Sequence, residues 1–123
     1  SDLADFKKVK ITVIENDTLH FIMNKGLAIA LLSNLLKNAL IHNHHEGIVT
    51  FIIDKNTITI SNTGTITPLN PKVIFNRFYR HTTTNESTGL GLSIVKSILN
   101  NYSISIEYLF TGNHQFKIIF PKK

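Results

Sequence analysis

The sequence predicts an α/β fold, with helices packed on one face of a mixed sheet, and three observations carry that prediction. Two segments show helical patterning, Lys25 to about Asn43 and Leu90 to about Asn100. β-rich runs stand before, between and after them, so strands flank helices in mixed order. Tight-turn signals at Lys55-Asn56 and Gly112-Asn113 join neighbouring runs into hairpins, which favours antiparallel pairing. At 123 residues, with 42% hydrophobic and 17% charged content, the chain suits one domain spanning 1–123 with a substantial core.

In order, Val9 to Ile14 alternates β-branched and polar residues, and Leu19-His20-Phe21-Ile22 follows a turn-like Glu15-Asn16-Asp17. These runs predict an N-terminal hairpin. Asn24 is placed to cap the long helix that follows, and Gly47 closes that region. At 100° per residue, Ala28, Ile29, Leu32, Leu35, Leu36, Ala39 and Leu40 form the expected apolar face. Ile48 to Asp54 and Thr57 to Ser61 read as a hairpin. From Asn62 to Thr88 the character changes. Pro68 and Pro71 lie here with only a short apolar element, Val73 to Tyr79, before a polar run from His81. A connection of that length is expected to be a functional loop, here a lid over about 65–88, or disordered. After the second helix, Ile104 to Phe110 and Phe116 to Phe120 form the closing hairpin, and Pro121 stops it.

Composition removes several function classes. There is no cysteine, so disulfides and thiolate metal sites are excluded. The longest apolar run, Leu27 to Leu32, is far short of the roughly 20 residues that span a bilayer, and no signal-peptide pattern is present. Ser1 without a preceding methionine reads as an excised or processed chain. Net charge is +5. No Arg/Lys stripe alternates with aromatics, which disfavours nucleic acid and leaves a polyphosphate ligand among the partners.

Two features point to such a ligand. Asn34, Asn38 and His42 recur every four residues along one border of the apolar helix face. Asparagine is a middling helix former, so the row is either a polar seam against a loop or a set of amides aimed into a pocket. An amide oxygen can be one protein ligand of Mg²⁺, with water and phosphate oxygens filling the rest. The second feature is Thr88-Gly89-Leu90-Gly91-Leu92, which opens the second helix. Glycine lets backbone approach a ligand closely, and the unpaired N–H groups of a first helical turn can hold phosphate. An ordinary turn before an amphipathic helix would look the same.

Four motifs in order resemble those of the sensor histidine kinases, from about Asn34 to Pro121. Asn34-Leu35-Leu36-Lys37-Asn38-Ala39, with His42-Asn43, resembles the N box. Ile74-Phe75-Asn76-Arg77-Phe78-Tyr79-Arg80 resembles the phenylalanine box, and Thr88 to Lys96 the second glycine box. Gly112 through Phe120-Pro121 resembles the closing hairpin. The resemblance implies the ATP-binding catalytic domain of the superfamily that also holds gyrase, mismatch-repair ATPases and heat-shock chaperones. Its fold is the Bergerat-type two-layer α/β sandwich, a mixed, mainly antiparallel sheet packed on one side by about three helices.

By the same resemblance, Asn38 would hold Mg²⁺ against the triphosphate and Asn34 would line the pocket. Thr88, Gly89, Leu90, Gly91 and Leu92 would lie near the phosphates. Arg80 would neutralise charge on the transferring phosphoryl group, with Arg77 the weaker candidate. Asn62 and Gly64 stand in the first glycine box, where the family normally has an aspartate that accepts from the adenine amino group. An Asn62 carbonyl can accept the same bond without charge assistance. Four further departures are plain. Ile41 stands where a Lys or Arg usually contacts phosphate, His42 where tyrosine is usual, Ile66 in place of a second glycine, and Ser87 in place of a glycine often found just before the second glycine box. His44-His45-Glu46 is read as a helix end complementing the dipole rather than as a phosphoacceptor.

The implied function is transfer of the γ-phosphoryl of Mg²⁺·ATP to a histidine on a separate helical hairpin of the full protein. A response regulator would act downstream. The module would be cytoplasmic, monomeric as a fragment and homodimeric in the whole kinase. The alternatives are a nucleotide-binding pseudokinase module, suggested by Ile41, Asn62 and Ile66, and an ATPase of the superfamily. Those ATPases carry a glutamate base where this chain has Asn34.

Overall fold

The structure is a computed structural model that describes residues 8–41, 43, 46–64 and 91–122. Five strands and two helices are present among them: β1 (Lys10–Glu15), α1 (Lys25–Ile41), β2 (Ile48–Ile53), β3 (Thr57–Asn62), α2 (Gly91–Asn101), β4 (Ser105–Phe110) and β5 (His114–Ile119). The strands form one sheet in the order β1-β2-β3-β5-β4. β1 pairs with β2 in parallel and every other pairing is antiparallel. The sheet is therefore mixed and mainly antiparallel, as the hairpin signals imply.

Alternation along the strands builds the core. Val49, Ile60 and Ile118 point to the helix-covered face and are buried. Thr50, Thr59, Ser61, Lys117 and Glu107 occupy the alternate positions and stay at least partly accessible. Leu31, Leu35, Ala39, Val95, Ile98 and Leu99 supply the helical half of the same cluster. Each fully buried Leu or Val stabilises by about 1.5–3 kcal/mol, so these residues set the helix-to-sheet orientation.

α1 begins where Asn24 caps it. Asn24 Oδ1 accepts from the Leu27 N–H at 3.0 Å, and the Asn24 carbonyl accepts from Ala28 at 2.9 Å. Its buried face is rotated from the one expected. Ile29 and Leu32 are 55% and 40% exposed, whereas Leu31 is only 2% exposed. α1 is apolar almost all round, so two overlapping stripes satisfy the same period. Packing against α2 and the sheet selects the stripe through Leu31, Leu35 and Ala39.

The N-terminal hairpin does not form. β1 runs parallel to β2 instead, and residues 19–22 are not a strand. Leu19, Phe21 and Met23 turn inward against the core, while Ile22 is 87% exposed. Phe21 packs its ring against Tyr102 and Phe120. The period-two pattern was that of an extended segment crossing the core edge, which buries alternate side chains without pairing.

α2 ends in a closed backbone motif. Ile104 N–H donates to Leu99 C=O at 3.0 Å and Ser103 N–H to Asn100 C=O at 3.5 Å. Ser103 takes the left-handed conformation at φ 55°. The final hairpin turns at Gly112, whose φ of 89° suits glycine.

Candidate nucleotide site

The end of α1 meets the end of β3 through a hydrogen bond between Asn43 and Thr63, and the polar residues singled out in the sequence that the structure describes lie on these two elements. Asn34 is half-buried and donates from Nδ2 to the Ala30 carbonyl at 2.7 Å, four residues back on its own helix. That bond turns its amide nitrogen onto the helix and leaves its oxygen as the part able to face outward. Asn38, one turn on, is also half-buried. Its side chain makes no hydrogen bond among the described residues. Ile41 is buried at 7% exposure, and its side chain is apolar where the resembled family has a cation.

Asn62 ends β3, in register with Val49 on one side and His114 on the other. It is 4% exposed. Its Nδ2 donates to the Thr63 carbonyl at 2.8 Å, and no donor reaches its Oδ1 among the described residues. Leaving a buried acceptor without a partner costs about 1–3 kcal/mol. Such an atom fits a site where a ligand supplies the donor.

Three neighbours of Asn62 stand outside the sequence-derived site. His114 is buried at 5% exposure, with Nδ1 2.6 Å from the Tyr108 hydroxyl and its ring stacked on Tyr108. Alternation with Phe116 and Ile118 along β5 is the signal that places it inward. Asn43 and Thr63 are the others. The Thr63 hydroxyl donates to Asn43 Oδ1 at 2.5 Å, and Asn43 Nδ2 donates to the Ile48 carbonyl at 3.2 Å. These partners are 20 residues apart, so no local pattern announces the bond.

Leu92 lies in the first turn of α2 and packs against the core, so its backbone rather than its side chain is what it can offer phosphate. Gly91 is the first residue of α2. Gly64 follows the Asn62-Thr63 corner. His42, Arg77, Arg80, Thr88, Gly89 and Leu90, the lid over 65–88 and His44-His45 lie outside the described residues. Among the described residues no three His, Asp or Glu side chains cluster as a metal site. No helix among them is long and apolar enough to cross a membrane.

Comparison with known proteins bears on the family and the fold. Residues 24–123 match the family model of histidine kinase-, DNA gyrase B- and HSP90-like ATPases. The heme sensor protein HssS of Staphylococcus aureus is 32% identical over 124 residues, covering 95% of this chain. The chain spans only 26% of that relative's length. The mycobacterial sensor histidine kinase MprB superposes with a TM-score of 0.81 at 20% identity, covering 98% of this chain and 88% of that one. The Acinetobacter baumannii histidine kinase AdeS gives 0.74 at 20% identity, covering 99% and 59%. At such identities these two structures speak for the fold.

Proposed function

The chain belongs to the family of histidine kinase-, DNA gyrase B- and HSP90-like ATPases, as an ATP-binding domain of the sensor histidine kinase type, and we propose that it binds Mg²⁺·ATP and serves as the phosphoryl donor of a sensor kinase. The observation that carries this reading is the Asn62 amide, buried and with an acceptor oxygen lacking a donor among the described residues, in the segment that resembles the family's first glycine box.

In this reading Asn62 Oδ1 accepts from the base amino group. Asn38, half-buried with its amide uncommitted among the described residues, is the side chain that would hold Mg²⁺. A single amide suits a cation that arrives largely coordinated by phosphate and water. Held by Asn38, Mg²⁺ would supply neutralisation of the triphosphate charge. Asn34 lines the pocket beside it. The backbone of Gly91 and Leu92 at the start of α2 holds the phosphates, and the resemblance assigns Thr88, Gly89 and Leu90 to the same role and Gly64 to nucleotide binding. Arg80 is assigned to the charge that develops on the transferring group, with Arg77 and His42 as further phosphate contacts. Catalysis is then positioning and electrostatics rather than covalent chemistry by the protein.

The acceptor is a histidine on a helical hairpin elsewhere in the full protein, with a response regulator as the next partner, and the module works on the cytoplasmic side. A second reading has one specific observation in its favour. Buried, apolar Ile41 removes a phosphate contact that the resembled kinases have, which favours nucleotide binding without efficient transfer.

Titration with Mg²⁺·ATP and Mg²⁺·ADP, on wild type and Asn38→Ala, tests both readings. Binding that Asn38→Ala weakens at least about tenfold (roughly 1.4 kcal/mol) supports the site. No binding by wild type rejects both readings. Binding without transfer to a supplied cognate hairpin selects the second.

A further inference from the structure

Thr63 stands between the end of α1 and the end of β3, and its hydroxyl and carbonyl serve different sides. On the α1 side, the hydroxyl donates to Asn43 Oδ1 at 2.5 Å and accepts from the Ile48 N–H at 2.9 Å. Asn43 Nδ2 and Thr63 N–H both donate to the Ile48 carbonyl, at 3.2 Å and 3.1 Å. On the β3 side, the Thr63 carbonyl accepts from Asn62 Nδ2 at 2.8 Å. Asn43 and Asn62 are both buried, at 6% and 4% exposure. The ring leaves no space at Gly47, where a Cβ would collide with Asn43 and Thr63 side-chain atoms.

The consequence concerns what Asn62 can recognise. A carboxylate offers only acceptors, but an amide offers a donor at one end and an acceptor at the other. A neutral Asn62 could therefore face a 6-amino purine with Oδ1 or a 6-oxo purine with Nδ2. A backbone carbonyl only accepts, so the bond to Thr63 takes Nδ2 and settles which way the amide lies. Oδ1 is the end left without a partner among the described residues.

We propose that Thr63 is a positioning residue for base selectivity: anchored to the end of α1 through its hydroxyl, it holds the Asn62 amide through its carbonyl, so that the site takes a 6-amino purine nucleotide and rejects a 6-oxo one. The inference rests on the nucleotide-binding reading above, which does not by itself say how a neutral amide tells two purines apart. Asn62 makes the contact and Thr63 acts through it.

The test compares Mg²⁺·ATP with Mg²⁺·inosine triphosphate, which has a 6-oxo group in place of the 6-amino group. Wild type is expected to prefer ATP by at least about tenfold. Thr63→Val keeps the shape, removes the hydroxyl, and should reduce that ratio at least about threefold, with Thr63→Ser restoring it. Asn43→Ser, which leaves Thr63 intact, should move the ratio the same way and serves if Thr63→Val does not fold. In an Asn62→Asp background, which has no donor to misplace, Thr63→Val should leave the ratio unchanged. A variant set that loses thermal stability while keeping the wild-type ratio would reduce Thr63 to a structural brace and overturn the proposal. Equal affinity of wild type for both nucleotides overturns it while the nucleotide-binding reading survives. Binding of neither rejects both.

Discussion

The two helices end in different ways, and under the proposed function the polar end is the one that serves a ligand. α2 closes with backbone groups: Ile104 reaches back to Leu99, Ser103 to Asn100, and Leu99 and Ile104 bury their side chains at 0% and 3% exposure. α1 is followed by a ring of polar side chains and backbone, Asn43, Thr63 and Ile48, with Gly47 squeezed against it. A helix of this fold can evidently be stopped without buried side-chain amides. Burying them costs desolvation unless every group is paired, so the polar end is the more demanding solution. It also lies beside Asn62, the buried amide with an unused acceptor among the described residues.

Substitutions at the two ends should separate these roles. The largest effect is expected for Leu99→Ala, which empties a fully buried position at the apolar end. It should destabilise by about 2–5 kcal/mol in urea unfolding, with the nucleotide site failing only as the fold does. Gly47→Ala forces a Cβ into the polar ring and should cost about 1–3 kcal/mol. Unlike Leu99→Ala, it should weaken Mg²⁺·ATP binding under conditions where the variant remains folded. At the start of α1, Asn24→Ala removes the cap on Leu27 and should cost about 1 kcal/mol, measurable as a lower urea midpoint with unchanged slope. The smallest effect has the opposite sign. Ser103→Gly relieves a left-handed residue and should stabilise by about 0.5–1 kcal/mol without touching nucleotide affinity. If Ser103→Gly altered binding, the two ends would not be functionally distinct.

Sequence reasoning reached most of this architecture because the strongest signals were local. The Asn24 cap, the Lys55-Asn56 turn, the Gly112 turn and the α2 boundaries are each written within a few residues, and each appears within a residue or two of its expected place. Two readings failed where tertiary packing decides. Leu19-His20-Phe21-Ile22 has strand patterning, but the segment pairs with no strand and Phe21 packs its ring against Tyr102 and Phe120. The apolar face of α1 was ambiguous because Ile29 and Leu32 mimic a stripe that packing leaves exposed. Among the candidate site residues, Asn34 and Asn38 stand out by their helical spacing and Asn62 by its resemblance to the first glycine box. The Asn43–Thr63 bond does not, because two ordinary polar residues acquire meaning only when the chain brings them together.

The contrast between the helix ends is most directly tested by following backbone amide resonances during titration with Mg²⁺·ATP. Saturable shifts are predicted at Asn62, Thr63 and the last turn of α1 from Asn38 to Ile41, with Ser103 and Ile104 left where they were. Shifts confined to the Ser103–Ile104 end, or none at Asn62 and Asn38 at saturating nucleotide, would contradict the assignment of the polar end to the ligand.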